Sequence, residues 1–377
     1  MVQARQLGDE LYVGVHSDEA ILENKGPTVM TLRERLLATD ACRWVTKSIP
    51  YAPYVTQLDW ISHYGCKYVV HGDDITSDGS GEDCYRFVKA ADRFKVVRRT
   101  PSISTTDLVG RMLLCTRTHF IKSLEKTLAG EEGPGTEAER KAAGDDMKER
   151  IRLYATDETA KNPGADVWFW SQTDSTDKKG NSFKELFSGK GPKPGQRVVY
   201  VDGGFDLFSS GHIEFLRSVT KAEEDLARKD GWYSQQAVDE RKGKGSDYGP
   251  VFVVAGVHND EVINSWKGVN YPIMNIFERG LCVLQCRVSF HKPWLNRLSL
   301  TCCSTSMPWY LALHSPLRCP ISPLFLGGHQ TLFTMDRHPS CRTQRMSTPH
   351  PRKWVSIGKS APTSSRTSML ALLCSGS

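Results

Sequence analysis

Short apolar runs alternate with amphipathic stretches through the first part of the chain, and the alternation predicts a regular succession of elements. Residues 11–15 read as a strand, 32–43 as a helix, 43–49 as a second strand and 58–63 as a helix. Residues 66–70 follow as a third strand, 83–91 as a helix, 94–97 as a fourth strand and 105–118 as a closing helix. Strands this short, apolar on both faces and separated by helices, predict an α/β fold with a parallel sheet covered on both sides.

The pattern then recurs. Gly14-Val15-His16-Ser17-Asp18-Glu19, Lys25-Gly26, Val29-Met30, Glu34-Arg35 and Cys42-Arg43 return as Gly256-Val257-His258-Asn259-Asp260-Glu261, Lys267-Gly268, Ile273-Met274, Glu278-Arg279 and Cys286-Arg287. The offset is 242 residues at the start and 244 at the end, which identifies a duplicated unit with a two-residue slip. Before the second copy, residues 198–212 read as a buried strand, the turn Gly203-Gly204 and a helix start; the first copy begins at Met1, inside the region where that helix would run. Four segments follow: 1–128, the first unit; 129–196, a linker whose residues 129–147 are rich in Gly, Glu, Asp and Ala; 197–288, the second unit; and 289–377. The charged stretch 221–250 reads as a surface insertion, and 289–377 as a disordered tail or one derived from another reading frame.

Charge sharpens that last division. Residues 289–377 hold 10 Lys or Arg against a single acid, Asp336, leaving 39 basic against 42 acidic residues elsewhere. The excess lies outside the patterned units, so it argues against a nucleic-acid partner. The eleven cysteines form no CxxC pair and no zinc spacing, and read as ordinary reduced thiols. With no run of 18 apolar residues and no signal peptide at 1–6, the expectation is a cytoplasmic chain without a transmembrane segment.

Three clusters could carry chemistry. The Gly203-Gly204 turn ahead of Gly211-His212 is either a tight connection or a phosphate-binding helix start. Arg98-Arg99-Thr100 with Ser104-Thr105-Thr106 is either a capped helix start or an anion cradle. Lys25 before Gly26 is a loop cation or a phosphate ligand. His16 and His258, at strand ends, read as structural hydrogen-bonding groups, and Asp18 and Asp260 as caps of the following turn.

Together the element at 198–212, the Lys-Gly block with its Glu-Arg partner, the His71-Gly72-Asp73-Asp74 loop and Arg99-Thr100 with Ile103-Ser104-Thr105 resemble the CTP:phosphoethanolamine cytidylyltransferases, over roughly residues 1–118 and 197–288. The resemblance implies tandem Rossmann-like nucleotidyltransferase domains, both incomplete here, that make CDP-ethanolamine and diphosphate from CTP and phosphoethanolamine in phospholipid biosynthesis. It implies catalytic roles for Lys25 and Arg99 and binding roles for His71, Gly72, Asp73, Asp74, Thr100, Ser104, Thr105 and Thr106, with Gly211 and His212 contributing only weakly. The family's HxGH motif would lie before Met1 in the first unit; in the second, Ser209 stands where its first histidine belongs, and Lys267 is not expected to be catalytic. Mg²⁺ is expected with CTP, with no tightly bound cofactor and no metal-ligating side chains, and the site of action as cytoplasmic at the periphery of the endoplasmic reticulum. Oligomeric state is left open. The alternative is a non-catalytic truncated homologue or interaction protein of the same family.

Overall fold

A computed structural model describes residues 1–74, 76–100, 104–171, 182–287, 298–303, 321–325 and 331–335. Helix α1 (Val2–Gln6) leads into β1 (Tyr12–Val15). Ser17 opens α2 (Asp18–Lys25) by accepting the Ala20 N–H at 3.1 Å, and Thr31 opens α3 (Leu32–Asp40) in a capping box with Glu34. The chain returns as β2 (Lys47–Pro50), parallel to β1 with Tyr12 opposite Lys47. Helix α4 (Leu58–His63), β3 (Val69–His71), α5 (Arg86–Ala90) and β4 (Phe94–Val96) repeat the step, β3 and β4 pairing in parallel. The strand expected from 43 begins four residues later because Trp44 and Val45 turn into a buried cluster with Val2 and Val13. Helix α6 (Thr105–Leu114) stops at Cys115, which takes a left-handed φ of 51°.

The segment read as a solvated linker is more ordered than its composition suggests. After α7 (Leu124–Ala129), Thr136 and Glu139 form a capping box that starts α8 (Glu137–Tyr154). Gly144 lets α8 cross α7 closely, since a Cβ there would meet the Leu128 carbonyl oxygen at 2.5 Å. Strands β5 (Val167–Ser171) and β6 (Ser182–Phe187) pair in antiparallel fashion. The second unit supplies β7 (Arg197–Gly203), α9 (Ser210–Lys229), α10 (Gln235–Gly243), β8 (Val251–His258), α11 (Asp260–Lys267) and α12 (Ile276–Gln285). The stretch read as an insertion thus holds the end of α9 and all of α10, anchored where Arg241 pairs with Asp247 at 2.6 Å and lies over Trp232. From the segment read as a tail, β9 (Leu298–Cys303), β10 (Ile321–Phe325) and β11 (Thr331–Met335) join the sheet; its other residues lie outside the described ones. Strand pairing is a main-chain property, so a stretch without side-chain periodicity can still pair.

The seven-stranded sheet runs β10-β11-β7-β8-β9-β5-β6, with β7, β8, β9 and β5 mutually parallel. Val199, Val201, Val253 and Val257 on the sheet and Leu216, Leu281 and Leu284 on helices form its core, which continues into Ala38 and Ala41 of the first copy. Each of these valines and leucines contributes about 1.5–3 kcal/mol by leaving water.

The two copies fold alike to the level of single bonds. Arg35 donates to the carbonyls of Met30 (3.1 Å) and His16 (2.7 Å) and pairs with Asp18; Arg279 donates to those of Met274 (2.9 Å) and His258 (2.7 Å) and pairs with Asp260 at 2.7 Å. Asp18 and Asp260 therefore hold the arginine of the Glu-Arg block, and the capping expected of them falls to the preceding residues, Ser17 and Asn259. The copies also meet at equivalent residues: Cys42 and Cys286 form an antiparallel bridge, with the Arg43 N–H donating to Gln285 O at 2.9 Å and the Arg287 N–H to Ala41 O at 2.6 Å. They differ at one sheet edge. β8 lies between β7 and β9, whereas β1 is hydrogen-bonded only to β2 among the described strands.

Candidate functional site

Parallel pairing of β3 and β4 brings the loops after their carboxyl ends side by side, the usual place for a ligand on an α/β sheet. His71 ends β3, buried, with Nδ1 3.2 Å from the Gly72 carbonyl oxygen and its ring 4.8 Å from that of Tyr85. The Arg99 backbone N–H donates to Asp73 Oδ1 at 3.3 Å, and its guanidinium Nη1 reaches Asp74 Oδ2 at 3.4 Å. That ion pair is loose: the Arg99 side chain is 52% exposed and that of Asp74 31%, so it holds the guanidinium with no more than about 1 kcal/mol. An arriving phosphate would compete for it easily. Burial pushes the pKa of the Tyr154 hydroxyl up to about 12, with Thr100 beside it opposing the shift.

These groups border a cavity of about 800 Å³. His16, His71, Gly72, Asp74, Arg98, Arg99 and Thr100 line it, together with β1 residues Tyr12, Val13 and Gly14 and, from the second copy, Phe208, Ile213 and Cys286. It lies between the β1–β2 and β3–β4 pairs. Of the residues predicted from sequence, His71, Gly72, Asp74, Arg99 and Thr100 are brought together here, with Asp73 tied in through Arg99.

Lys25 does not line this cavity. It is the last residue of α2, followed by Gly26 at φ 96°, and burial around its ammonium lowers its pKa although the residue as a whole is exposed. Its field reaches the cavity through His16, whose Nδ1 stands 2.9 Å from the Ala52 carbonyl oxygen. Burial lowers the His16 pKa first, and Arg35 and Lys25 lower it further.

Ser104, Thr105 and Thr106 stand apart as well. Ser104 caps α6 through the Asp107 N–H at 3.4 Å, as the capping reading anticipates. Helix α6 is docked on the second copy, where Arg111 grips Glu278 with Nη1 at 2.8 Å and Nη2 at 3.0 Å and also donates to the Ile273 carbonyl. Ser104 and Thr106 line a separate cavity of about 470 Å³ with Arg111, Thr116, Thr118 and His119. Ile103 falls outside the described residues.

In the second copy, Gly211 is exposed at the start of α9 and His212 stacks on Phe208 at 5.4 Å and 13°. The Ser209 N–H donates to His212 Nδ1 at 3.1 Å, which makes that nitrogen an acceptor and places any proton of the neutral ring on Nε2. Burial lowers the His212 pKa, and Lys267 adds to the effect. Lys267, the counterpart of Lys25, thus acts on the helix-start histidine of its own copy. Of the two strand-end histidines, His16 is bonded as anticipated, whereas His258 keeps a buried Nδ1 without a hydrogen bond and stands 3.9 Å from Asp202.

Sequence reasoning passed over Asp206, whose carboxylate accepts the N–H groups of Ile273 (2.8 Å) and Met274 (2.9 Å) and fixes the loop before α12. It also passed over Tyr154. The recurrence of Asp18 with Arg35 and Asp260 with Arg279 was a usable signal for the buried pairs, because both members return with the block. Among the described residues no group of three His, Cys, Asp or Glu could hold a metal ion, and no helix is long and apolar enough to cross a membrane.

In the comparison with known families, residues 1–111 match the cytidylyltransferase-like family. More particularly, the chain is similar to proteins named ethanolamine-phosphate cytidylyltransferases. It is 39% identical to the Mus musculus enzyme of that name over 287 residues, 76% of this chain and 63% of the relative. To the probable ethanolamine-phosphate cytidylyltransferase of Schizosaccharomyces pombe it is 34% identical over 288 residues, 76% of this chain and 65% of the relative. The chain therefore spans less than two thirds of either relative's length. Choline-phosphate cytidylyltransferase 2 of Arabidopsis thaliana is 36% identical, but over 124 residues, 32% of this chain.

Proposed function

We propose that the chain is a cytidylyltransferase of the ethanolamine-phosphate type, joining CTP and phosphoethanolamine to give CDP-ethanolamine and diphosphate. The observation that carries this reading is coverage: similarity to the ethanolamine-phosphate relatives runs over 76% of the chain, through both copies, whereas similarity to the choline-phosphate relative covers 32%. In the reaction a phosphate oxygen of phosphoethanolamine attacks the α-phosphorus of CTP in line, and the bond to the diphosphate oxygen breaks. No covalent nucleophile from the protein is required. Its contribution is alignment and neutralisation of charge by donors already in place.

Arg99, loosely held by Asp74, is the group that exchanges a carboxylate for a phosphate; His71 and the loop 72–74 form the neighbouring wall, with Thr100 beside them. Lys25 completes the positive field from α2. Ser104, Thr105 and Thr106 act by closing α6 over the nucleotide, a movement that requires release of the Arg111–Glu278 contact. Gly211 and His212 have at most a weak binding role. Mg²⁺ would arrive on the triphosphate and would take phosphate and water ligands, since among the described residues no group of three His, Cys, Asp or Glu could hold it.

Both copies are read as incomplete Rossmann-like units. The cavity between β1 and β3 occupies the position that β7 takes beside β8, and this favours the second reading, a non-catalytic homologue or interaction protein of the same family. Labelled CTP with phosphoethanolamine and, separately, phosphocholine tests both. Labelled CDP-ethanolamine formed in preference to CDP-choline is the expected product. Preference for phosphocholine overturns the substrate, and folded protein that forms neither product supports the second reading.

A further inference from the structure

Cys42 and Cys286 occupy equivalent positions of the duplicated block and face each other where the copies touch. The flanking bonds, Arg43 N–H to Gln285 O and Arg287 N–H to Ala41 O, make them a non-hydrogen-bonded antiparallel pair. In such a pair the Cα atoms are about 4.5 Å apart and the side chains lie close, within the span of about 4.4–6.8 Å that a disulfide bridges. Both thiols are free, buried at 8% and 2% exposure, and both border the cavity of about 800 Å³. A small oxidant has a route to them that does not require unfolding.

We propose that Cys42 and Cys286 are a redox modification site, forming a disulfide that joins the two copies covalently when a low-molecular-weight disulfide enters the cavity. The thiolate of one cysteine attacks a sulfur of the reagent, releasing one thiolate leaving group and forming a mixed disulfide. The second cysteine, deprotonated, displaces the other half of the reagent and closes the protein Sγ–Sγ bond. In balance, two protein thiols and one small disulfide give one protein disulfide and two small thiols, the protons passing to the released thiolates. Burial raises both protein thiol pKa values, that of Cys286 up to about 12, with the neighbouring Arg43 and Arg287 opposing the shift. The exchange is therefore slow compared with that of the exposed Cys115.

The test is incubation of the full chain with oxidised glutathione, followed by blocking of free thiols and tryptic mapping without reductant. Expected are a cross-link between the peptides 36–43 and 280–287 and a thermal midpoint higher by roughly 5 °C that dithiothreitol reverses. Because the second peptide also contains Cys282, the cross-link should persist in Cys282→Ser and vanish in Cys42→Ser and in Cys286→Ser. Glutathione adducts without the cross-link, retention of the cross-link in Cys286→Ser, or no reaction of the pair while Cys115 is modified would each overturn the proposal.

Discussion

The two copies of the repeated block differ less in what they are made of than in what surrounds them. Each has a strand, a capped helix ending in Lys-Gly, a capping box and an arginine gripping an aspartate. In the second copy that arginine is enclosed: Arg279 and Asp260 are both 0% exposed, and Arg279 also donates to the Gly204 carbonyl beyond β7 at 2.5 Å. In the first, Arg35 is 6% exposed and Asp18 39%, because among the described residues no strand stands beside β1 where β7 stands beside β8. One local design thus becomes a core anchor in one setting and the rim of a cavity in the other.

The difference should be measurable. Arg279→Met leaves a buried carboxylate and three carbonyl groups without their donor, and should cost about 3–5 kcal/mol in denaturant unfolding. Arg35→Met leaves an aspartate that water can reach and should cost about 1–2 kcal/mol. Equal losses would mean that enclosure does not separate the copies. Next in size, Arg111→Met removes the bidentate contact that holds α6 on the second copy and should cost about 1.5–3 kcal/mol, with faster amide exchange through 105–114. Unchanged exchange there would show that α6 is held by other contacts.

The smallest effect is that of pH. His16 and His212 are kept below the ordinary imidazole pKa by burial, so the unfolded chain takes up their protons first as acidity increases. Stability should therefore fall as pH drops below about 6.5 and level off below the folded-state values. Thermal unfolding between about pH 7.5 and 5.5 should show the decline, and His16→Gln should flatten it. An unchanged slope in that variant would remove His16 from the account.

Much of this organisation was legible because it is local or repeated. Strand positions followed from short apolar runs, and the Asp-Arg pairs recur at matching offsets. Helix α8 was not legible because few apolar residues interrupt its charged face and its packing rests on Gly144, whose missing side chain reads as a breaker rather than a contact. The position of α6 was illegible for another reason: Arg111 and Glu278 are far apart in sequence, and only the fold makes them partners. The same holds for Lys25, which lies outside the lining of the larger cavity while its charge helps lower the pKa of His16.

We propose that cytidylyl transfer belongs to the first copy's loop cluster and not to the helix start at His212. Its most direct test is the rate of CDP-ethanolamine formation by Arg99→Ala and His212→Ala at matched concentrations of folded protein. Expected are a loss of about 2–4 kcal/mol in transition-state stabilisation for Arg99→Ala, roughly 30- to 1000-fold in kcat/KM, and less than about threefold for His212→Ala. A large loss in His212→Ala beside a near-normal Arg99→Ala would contradict it.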